Sequence, residues 1–374
     1  MTTPRASEGT GREARAAVMT GYLEPFEVGV IRMRAPGDGQ VLVRTAATPF
    51  CSTDWMGWKA MRRTIPPVVL GHTAVGTVEA VGAGVSHLAV GDRVLVAGTP
   101  QCGECFYCGI GRPDQCDLLM GGGPNPVVAD MADGREVRAA GLVGAYSERM
   151  LVLGVQTHRL PDDLPFETAC LLGCGVSSAL GAIENIARVA PGQSVAILGL
   201  GHIGLWAVQG ARLAGAGEII GIDGHGGRRA LAAQMGATQL VDPTAGDSVD
   251  AVRALTEGRG ADVVIEAAGP EIAQRQAVLM SRRAGTVVLM GVQHATSEVI
   301  LPQGLLTTTG REIHGCQNGR ITPDVDFPRW IGYLQDGRLD PAHFVTRTYR
   351  IDEADEALRR SMALDDVNGV FTAF

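Results

Sequence analysis

Ser194-Val195-Ala196-Ile197-Leu198-Gly199-Leu200-Gly201-His202-Ile203-Gly204 passes from a short apolar β-type run into a glycine turn, and an apolar helical pattern, Leu205 to about Ala214, follows. A G-x-G-x-x-G set between a strand and a helix stands where the mechanics of dinucleotide binding require it. Gly199 permits the tight turn, Gly201 lets the backbone approach a pyrophosphate, and Gly204 lets helix and strand pack closely. The anion then lies at the helix N-terminus. Leu200, His202 and Ile203 join the three glycines as candidate cofactor contacts. The next strand ends in Asp223, 19 residues past Gly204. A carboxylate there accepts from the adenosine ribose and repels a 2′-phosphate, which favours NAD over NADP. Arg228 is a further candidate for the adenosine end, although paired arginines opening a helix are more often a solvated face.

Outward from this turn the rhythm of strand, turn and helix repeats at Ile219-Ile220-Gly221-Ile222, Val263-Val264-Ile265 and Thr286-Val287-Val288-Leu289. Such short apolar strands suit a parallel sheet buried on both faces. From Ala16 to about Val96 the text is instead short β-type runs broken by pairs such as Pro66-Pro67 and Gly91-Asp92, a β-rich pattern. A chain of 374 residues has length for two domains. The expected class is α/β: a β-rich domain over 1–177 with a cysteine lobe at about 98–117, a doubly wound parallel-sheet domain over 178–316, and a return to the first domain over 317–374. Residues 1 to about 14 read as a loose tail and Leu118 to Gly141 as a long surface loop. Ile351 to about Leu364 reads as an acidic helix, followed by the apolar run Gly369-Val370-Phe371.

Composition narrows the function classes. Apolar residues at 45%, charged residues at 19% and 51 glycines without a three-residue period exclude disorder, coiled coil and collagen as the main state. With 32 basic against 40 acidic residues, the formal charge of -8 supplies no field to gather nucleic acid or anionic lipid. The N-terminus, MTTPRASEGTGREAR, has no apolar h-region, and no stretch reaches ~18 uninterrupted apolar residues. A cytoplasmic location is expected.

In that reducing setting the eight cysteines are expected as metal ligands or buried thiols. Cys102, Cys105, Cys108 and Cys116 form C-x-x-C-x-x-C-x7-C, four thiolates near enough along a glycine-punctuated loop to close a tetrahedron around zinc. Sulfur fills all four positions, so the role is structural. Cys51, His72 and Cys174 are dispersed, and spacing alone does not group them. A lone histidine beside β text is usually a satisfied core or surface residue, and isolated cysteines are usually small buried groups.

Gly71-His72-Thr73-Ala74-Val75-Gly76, continuing to Gly82 and Val85, together with the four-cysteine lobe, Gly173-Cys174-Gly175 and the glycine turn, resembles the zinc-dependent alcohol dehydrogenases of the medium-chain dehydrogenase/reductase family. The resemblance spans nearly the whole chain. It implies a GroES-like catalytic domain beside a Rossmann domain, NAD as cofactor, two zinc ions per chain, a small-molecule alcohol or carbonyl substrate, and a homodimer. Cys51, His72 and Cys174 would bind the catalytic zinc, the Cys2His set with an open fourth position known from alcohol dehydrogenase. Asp54 would hold His72 in its ligating tautomer, and Thr53 would hydrogen-bond the substrate oxygen and begin a proton relay. Ala268 and Val292 would touch the cofactor. Cys170 is read as a small buried residue, and Cys316 has no assigned role. The runs Val287-Val288-Leu289 and Val299-Ile300-Leu301 are expected to extend a sheet across a dimer axis.

The chain departs from the family pattern at several positions. Thr73 replaces the glutamate that follows the zinc histidine, Met56 the distal relay histidine, and Ser52 an arginine on the pyrophosphate. His202 would partly replace that arginine, or else face solvent. Gly98 stands where relatives carry a bulky aromatic and Gln317 where an aliphatic is common, which implies a roomier, more polar pocket. The expected activity is hydride transfer between NAD(H) and a medium-sized, polar or aromatic alcohol, aldehyde or ketone. Alternatives are a reductase of imines or conjugated C=C bonds on the same scaffold, and a zinc- and NAD-binding protein without turnover, for which Thr73 and Met56 speak.

Overall fold

The computed structural model describes residues 11–62, 64–294 and 296–374. Most of the expected N-terminal tail lies outside them, and the first strand, Glu13–Met19, takes up its last residues. The described chain forms two compact units. One comprises the residues up to Gly109, Cys116–Gly173 and His343–Phe374; the other comprises Ile110–Gln115 and Cys174–Ala342. The units therefore divide at 173/174 and 342/343, where the sequence pattern divides at 177/178 and 316/317. The later return has a packing cause. Helix Pro323–Gln335 buries Phe327, Trp330 and Ile331, and Trp330 Nε1 donates to Glu184 Oε2 at 3.1 Å within the second unit.

The first unit contains a closed barrel and a seven-stranded sheet. In the barrel, Glu13–Met19 pairs with Glu27–Met33 and Val68–Val69, and the hairpin Val127–Asp130 with Glu136–Ala139 completes the circle. Glu13 and Arg15 point outward while Ala14 and Ala16 are buried, the alternation of a strand with one wet face. This hairpin corrects the reading of 118–141 as a loop. Gly121 to Pro126 is irregular, but Val128, Ala129 and Val137 are apolar enough to fill the barrel wall. In the larger sheet Gln40–Pro49 is the hub, pairing with Ala74–Val81, Arg149–Leu153 and Asn368–Ala373. The C-terminal apolar run is thus a central strand.

The second unit is built on six parallel strands in the spatial order Gln239–Val241, Glu218–Ile222, Ser194–Leu198, Ala261–Glu266, Ser281–Leu289, Glu312–Gly315. Numbered along the chain this is 3-2-1-4-5-6, the Rossmann order, with the topological switch between the first and fourth strands. Helix His202–Leu213 packs beside it, buried from Gly204 to Ala211, as an apolar-all-round helix must be. Residues 299–301 are not a strand: Ile300 is 81% exposed. Among the described residues the sheet ends at Glu312–Gly315, beyond Ser281–Leu289. One apolar run, residues 166–186, is long enough to cross a membrane by length and composition, and 78% of its apolar window is buried inside the protein.

Candidate functional site

The glycine turn lies at the switch point, and each glycine is there for a steric reason. Gly199 has φ +86°, and a Cβ on it would fall 2.7 Å from the Ala268 amide nitrogen of the crossing strand end. A Cβ on Gly204 would lie 1.8 Å from the Gly199 carbonyl oxygen. Gly201, the N-cap of the helix, has nothing within 4 Å of its Cβ position, which leaves room for a ligand to approach the backbone. His202 and Ile203 are half-buried and Leu200 is buried.

Asp223 ends its strand half-buried and accepts from the Leu200 and His225 amides at 2.8 and 2.7 Å. Arg229 turns back onto this strand end, donating to the Asp223 carbonyl at 2.6 Å and pairing with Asp242 at 2.7 Å. Ala268 and Val292 are exposed.

Between them lies a residue that sequence reading passed over. Glu266 is fully buried at the end of its strand; Oε1 accepts from the Ala268 and Gly269 amides at 2.9 and 2.6 Å, and Oε2 has no hydrogen-bond partner among the described residues. Burial pushes its carboxyl above the usual carboxylate range, against the pull of the Gly269, Ala268 and Gly291 amides. The signal was an acid closing the apolar run Val263-Val264-Ile265.

In the first unit Cys51, Thr53, Asp54 and His72 come together. Cys51 caps helix Ser52–Trp58, and Asp54, three residues on, accepts from the Cys51 amide at 3.0 Å. The other Asp54 oxygen accepts from the Gly71 amide at 3.1 Å and faces His72 Nδ1 at 3.4 Å. A carboxylate only accepts, so Nδ1 carries a proton, and Nε2 is the nitrogen left to bind a metal once its own proton is lost. Thr53 Oγ1 lies 3.3 Å from the same Nδ1. Burial pulls the His72 pKa down, but Asp54 and then Cys51 outweigh it and push it up to about 10.

Tyr146, also missed, donates its hydroxyl to Asp54 Oδ2 at 2.7 Å. Burial and the Asp54 charge hold that phenol well above its ordinary pKa, so it stays a donor.

The departures from the family pattern are packed in place. Thr73 is buried, donating to the Val96 carbonyl at 3.0 Å, and a Cβ on Gly173 would fall 1.9 Å from its Oγ1. Met56 is 1% exposed. Gly98 fits against His72, whose carbonyl oxygen lies 2.5 Å from where a Cβ would stand.

Cys174 opens the second unit. A ring nitrogen of His202 lies within 4.8 Å of its Sγ. Gly175 allows this, since a Cβ there would sit 3.0 Å from His202 Cδ2. His202 therefore does not simply face solvent. Cys170 donates to the Glu167 carbonyl and is buried, as expected. Cys316 faces the Ser178 carbonyl, and burial pushes its thiol up to about 12.

The sulfurs of Cys102, Cys105, Cys108 and Cys116 all lie within 4.8 Å of one another, with Cys102 and Cys108 at 4.0 Å. A tetrahedron with Zn–S of about 2.3 Å has edges of about 3.8 Å, so this donor set fits zinc. The amides of Cys102 and Cys105 donate to Cys116 and Cys102 sulfur. The Asp117 and then the Cys108 amides hold the Cys105 thiol down at about 6, while burial pushes Cys108 up to about 12.

Residues 37–162 match the alcohol dehydrogenase GroES-like domain and residues 203–333 the zinc-binding dehydrogenase family. The chain is 33% identical over 353 residues to an S-(hydroxymethyl)glutathione dehydrogenase of Synechocystis sp., covering 92% of this chain and 95% of that one. It is 30% identical over 367 residues to an NDMA-dependent alcohol dehydrogenase of Amycolatopsis methanolica, covering 96% and 98%. The fold matches the crystal structure of benzyl alcohol dehydrogenase from Acinetobacter calcoaceticus with a TM-score of 0.91 at 27% identity, over 97% of this chain and 100% of that one. A Rossmann sheet, a GroES-like unit and a four-thiolate lobe thus occur in one chain with full-length relatives of the same build, and the chain belongs to the zinc-dependent alcohol dehydrogenases of the medium-chain dehydrogenase/reductase family, a family of oxidoreductases.

Proposed function

We propose that the protein transfers a hydride between NAD(H) and a medium-sized, polar or aromatic alcohol and its aldehyde or ketone, as a cytoplasmic homodimer with two zinc ions per chain. The observation that carries this reading is the placement of His72 Nδ1 against Asp54, which leaves Nε2, on loss of its own proton, as the ligand nitrogen. Cys51, His72 and Cys174 would hold the catalytic zinc, and Cys102, Cys105, Cys108 and Cys116 the structural one. When bound, zinc supplies a Lewis acid for the substrate oxygen and NAD a hydride acceptor.

The chain's own residues do the rest. Asp54 fixes the His72 tautomer. Thr53 Oγ1 takes the substrate's hydroxyl proton. Met56, a buried thioether, cannot pass that proton on, so it leaves through water or another residue, or through the ribose that a bound NAD would supply. Gly199, Leu200, Gly201, His202, Ile203 and Gly204 cradle the pyrophosphate, Asp223 reads the ribose, Arg228 serves the adenosine end, and Ala268 and Val292 touch the nicotinamide half. Gly98 and Gln317 favour a substrate larger than ethanol, and relatives named for S-(hydroxymethyl)glutathione and benzyl alcohol support that size.

The test is a zinc count with a panel of alcohols, aldehydes, ketones, iminium compounds and conjugated enones, run with NAD, NADP and, given the NDMA-dependent relative, NDMA as acceptor. Zinc-dependent alcohol oxidation with NAD is the expected result. Turnover confined to imines or C=C bonds would favour the reductase alternative, supported by the buried Thr73 and Met56. Dinucleotide binding without turnover would favour a non-catalytic protein.

A further inference from the structure

Tyr146 has no exposed surface, and its hydroxyl is one of four donors that surround the 4%-exposed Asp54. The Cys51 amide and the Tyr146 hydroxyl share Oδ2; the Gly71 amide and His72 Nδ1 share Oδ1. Three of these donors come from the segments that carry Cys51 and His72 themselves. Tyr146 is the fourth, and it comes from elsewhere in the chain.

The ring is packed on two sides. It stacks on Phe50 at 5.4 Å and tilts against Phe371 at 4.9 Å. The Tyr146 backbone is fastened to the segment entering His72: the Tyr146 amide donates to the Leu70 carbonyl at 3.0 Å and the Ala145 amide to the Gly71 carbonyl at 3.1 Å. Gly71 has φ +85°, and a Cβ there would fall 2.9 Å from the Tyr146 ring. The glycine before His72 is what lets this ring come close enough for its hydroxyl to reach Asp54.

We propose that Tyr146 is a positioning residue for the zinc site: by holding Asp54 Oδ2 it fixes the plane of the carboxylate that presents Oδ1 to His72 Nδ1, and so aims His72 Nε2. The inference rests on the reading of Cys51 and His72 as zinc ligands. Hydrogen-bond partners behind a ligating histidine govern metal retention and activity by about 10- to 100-fold, and a contact one bond further out is expected at the lower end.

Tyr146→Phe deletes the hydroxyl and keeps the ring; Phe371→Leu loosens the ring packing and keeps the hydroxyl. Zinc per chain, the rates of zinc release to a chromogenic chelator and the thermal midpoint are measured on the full chain purified with zinc, with Cys51→Ala identifying the release phase of the four-cysteine zinc. The wild type is expected to release two zinc ions in two phases. Tyr146→Phe is expected to release the zinc missing from Cys51→Ala about tenfold faster, with the other phase unchanged. Phe371→Leu is expected to lower the midpoint and leave both phases as they were. Unchanged release in Tyr146→Phe, equal acceleration of both phases, the same selective loss in Phe371→Leu, or a Tyr146→Phe chain without a cooperative transition would each overturn the inference. A wild type holding a single zinc, or a zinc count unaffected by Cys51→Ala, would overturn the reading of the site and the inference with it.

Discussion

Asp223 accepts the amide of Leu200 on one carboxylate oxygen, at 2.8 Å, so the residue we propose as the ribose reader also fastens the glycine turn. Its other oxygen takes the His225 amide, and further lone pairs remain for a ribose hydroxyl. Asp223→Gly removes both functions. NAD preference over NADP is expected to relax about tenfold or more, and NAD itself to bind more weakly because the buried Leu200 amide loses a charged acceptor. Titrating both dinucleotides against the variant checks this; an unchanged ratio of the two dissociation constants means another residue reads the ribose.

The two later glycines of the turn should separate stability from binding. A Cβ on Gly204 meets the Gly199 carbonyl oxygen at 1.8 Å, and a backbone atom cannot swing aside. Gly204→Ala is expected to lower stability by about 1–3 kcal/mol. Gly201 sits at φ -71° with open space around its Cβ position, so Gly201→Ala should stay within about 0.5 kcal/mol of wild type. It should still lose dinucleotide affinity, because the methyl takes the space of the pyrophosphate. Denaturant unfolding and cofactor titration on both variants decide the matter, and equal destabilisation in the two would refute the division.

Features close together along the chain were legible in the sequence. The glycine turn reads correctly because strand, turn and helix are contiguous, and the four cysteines because one short loop carries them all. Cys51 and His72 belong to different segments, and only the family resemblance joined them; nothing in their spacing does. Tyr146 stands 92 residues from Asp54, and an aromatic amid β text reads as ordinary core. The barrel hairpin at 127–139 was masked by the glycines and prolines before it, whose irregularity says nothing about the strands that follow. Val299 to Leu301 read as apolar β text, yet within the chain they form no strand and Ile300 is 81% exposed.

Glu266 makes stability depend on pH with a definite sign. Its folded-state pKa is raised, chiefly by burial, so the native protein keeps this proton to higher pH than the unfolded chain does. The contribution is fully present below the unfolded value of about 4.3 and is lost as pH rises through the folded value, at about 1.4 kcal/mol per pH unit across that window. Glu266→Gln removes the titration while keeping an oxygen for the Ala268 and Gly269 amides. The stability of the variant relative to wild type, measured by denaturant unfolding from about pH 4 upward, is expected to climb across the window and then level off. A difference that stays constant over the whole range would show that the carboxyl binds its proton equally in the folded and unfolded states, against a raised folded value.

Cys105→Ala and Cys51→Ala should fail in different ways. The lobe around Cys105 has almost no core of its own: helix Phe106–Gly109 buries nothing, and Phe106 is 69% exposed. Four thiolates around one ion are then what hold it, and losing one opens the tetrahedron. Cys105→Ala is expected to cost one zinc per chain and lower the thermal midpoint by about 5 °C, the shift that roughly 2 kcal/mol produces in a domain of this size. Cys51 is buried within a well-packed unit and close to alanine in volume, so Cys51→Ala should leave the midpoint nearly unchanged. With a ligand of the catalytic ion gone, turnover should fall by about a thousandfold, the order expected when several kcal/mol of charge stabilisation are removed from the transition state. Zinc analysis, thermal unfolding and steady-state kinetics on the same preparations read all three quantities. Equal losses of folding in both variants would contradict the assignment of one zinc to structure and the other to chemistry.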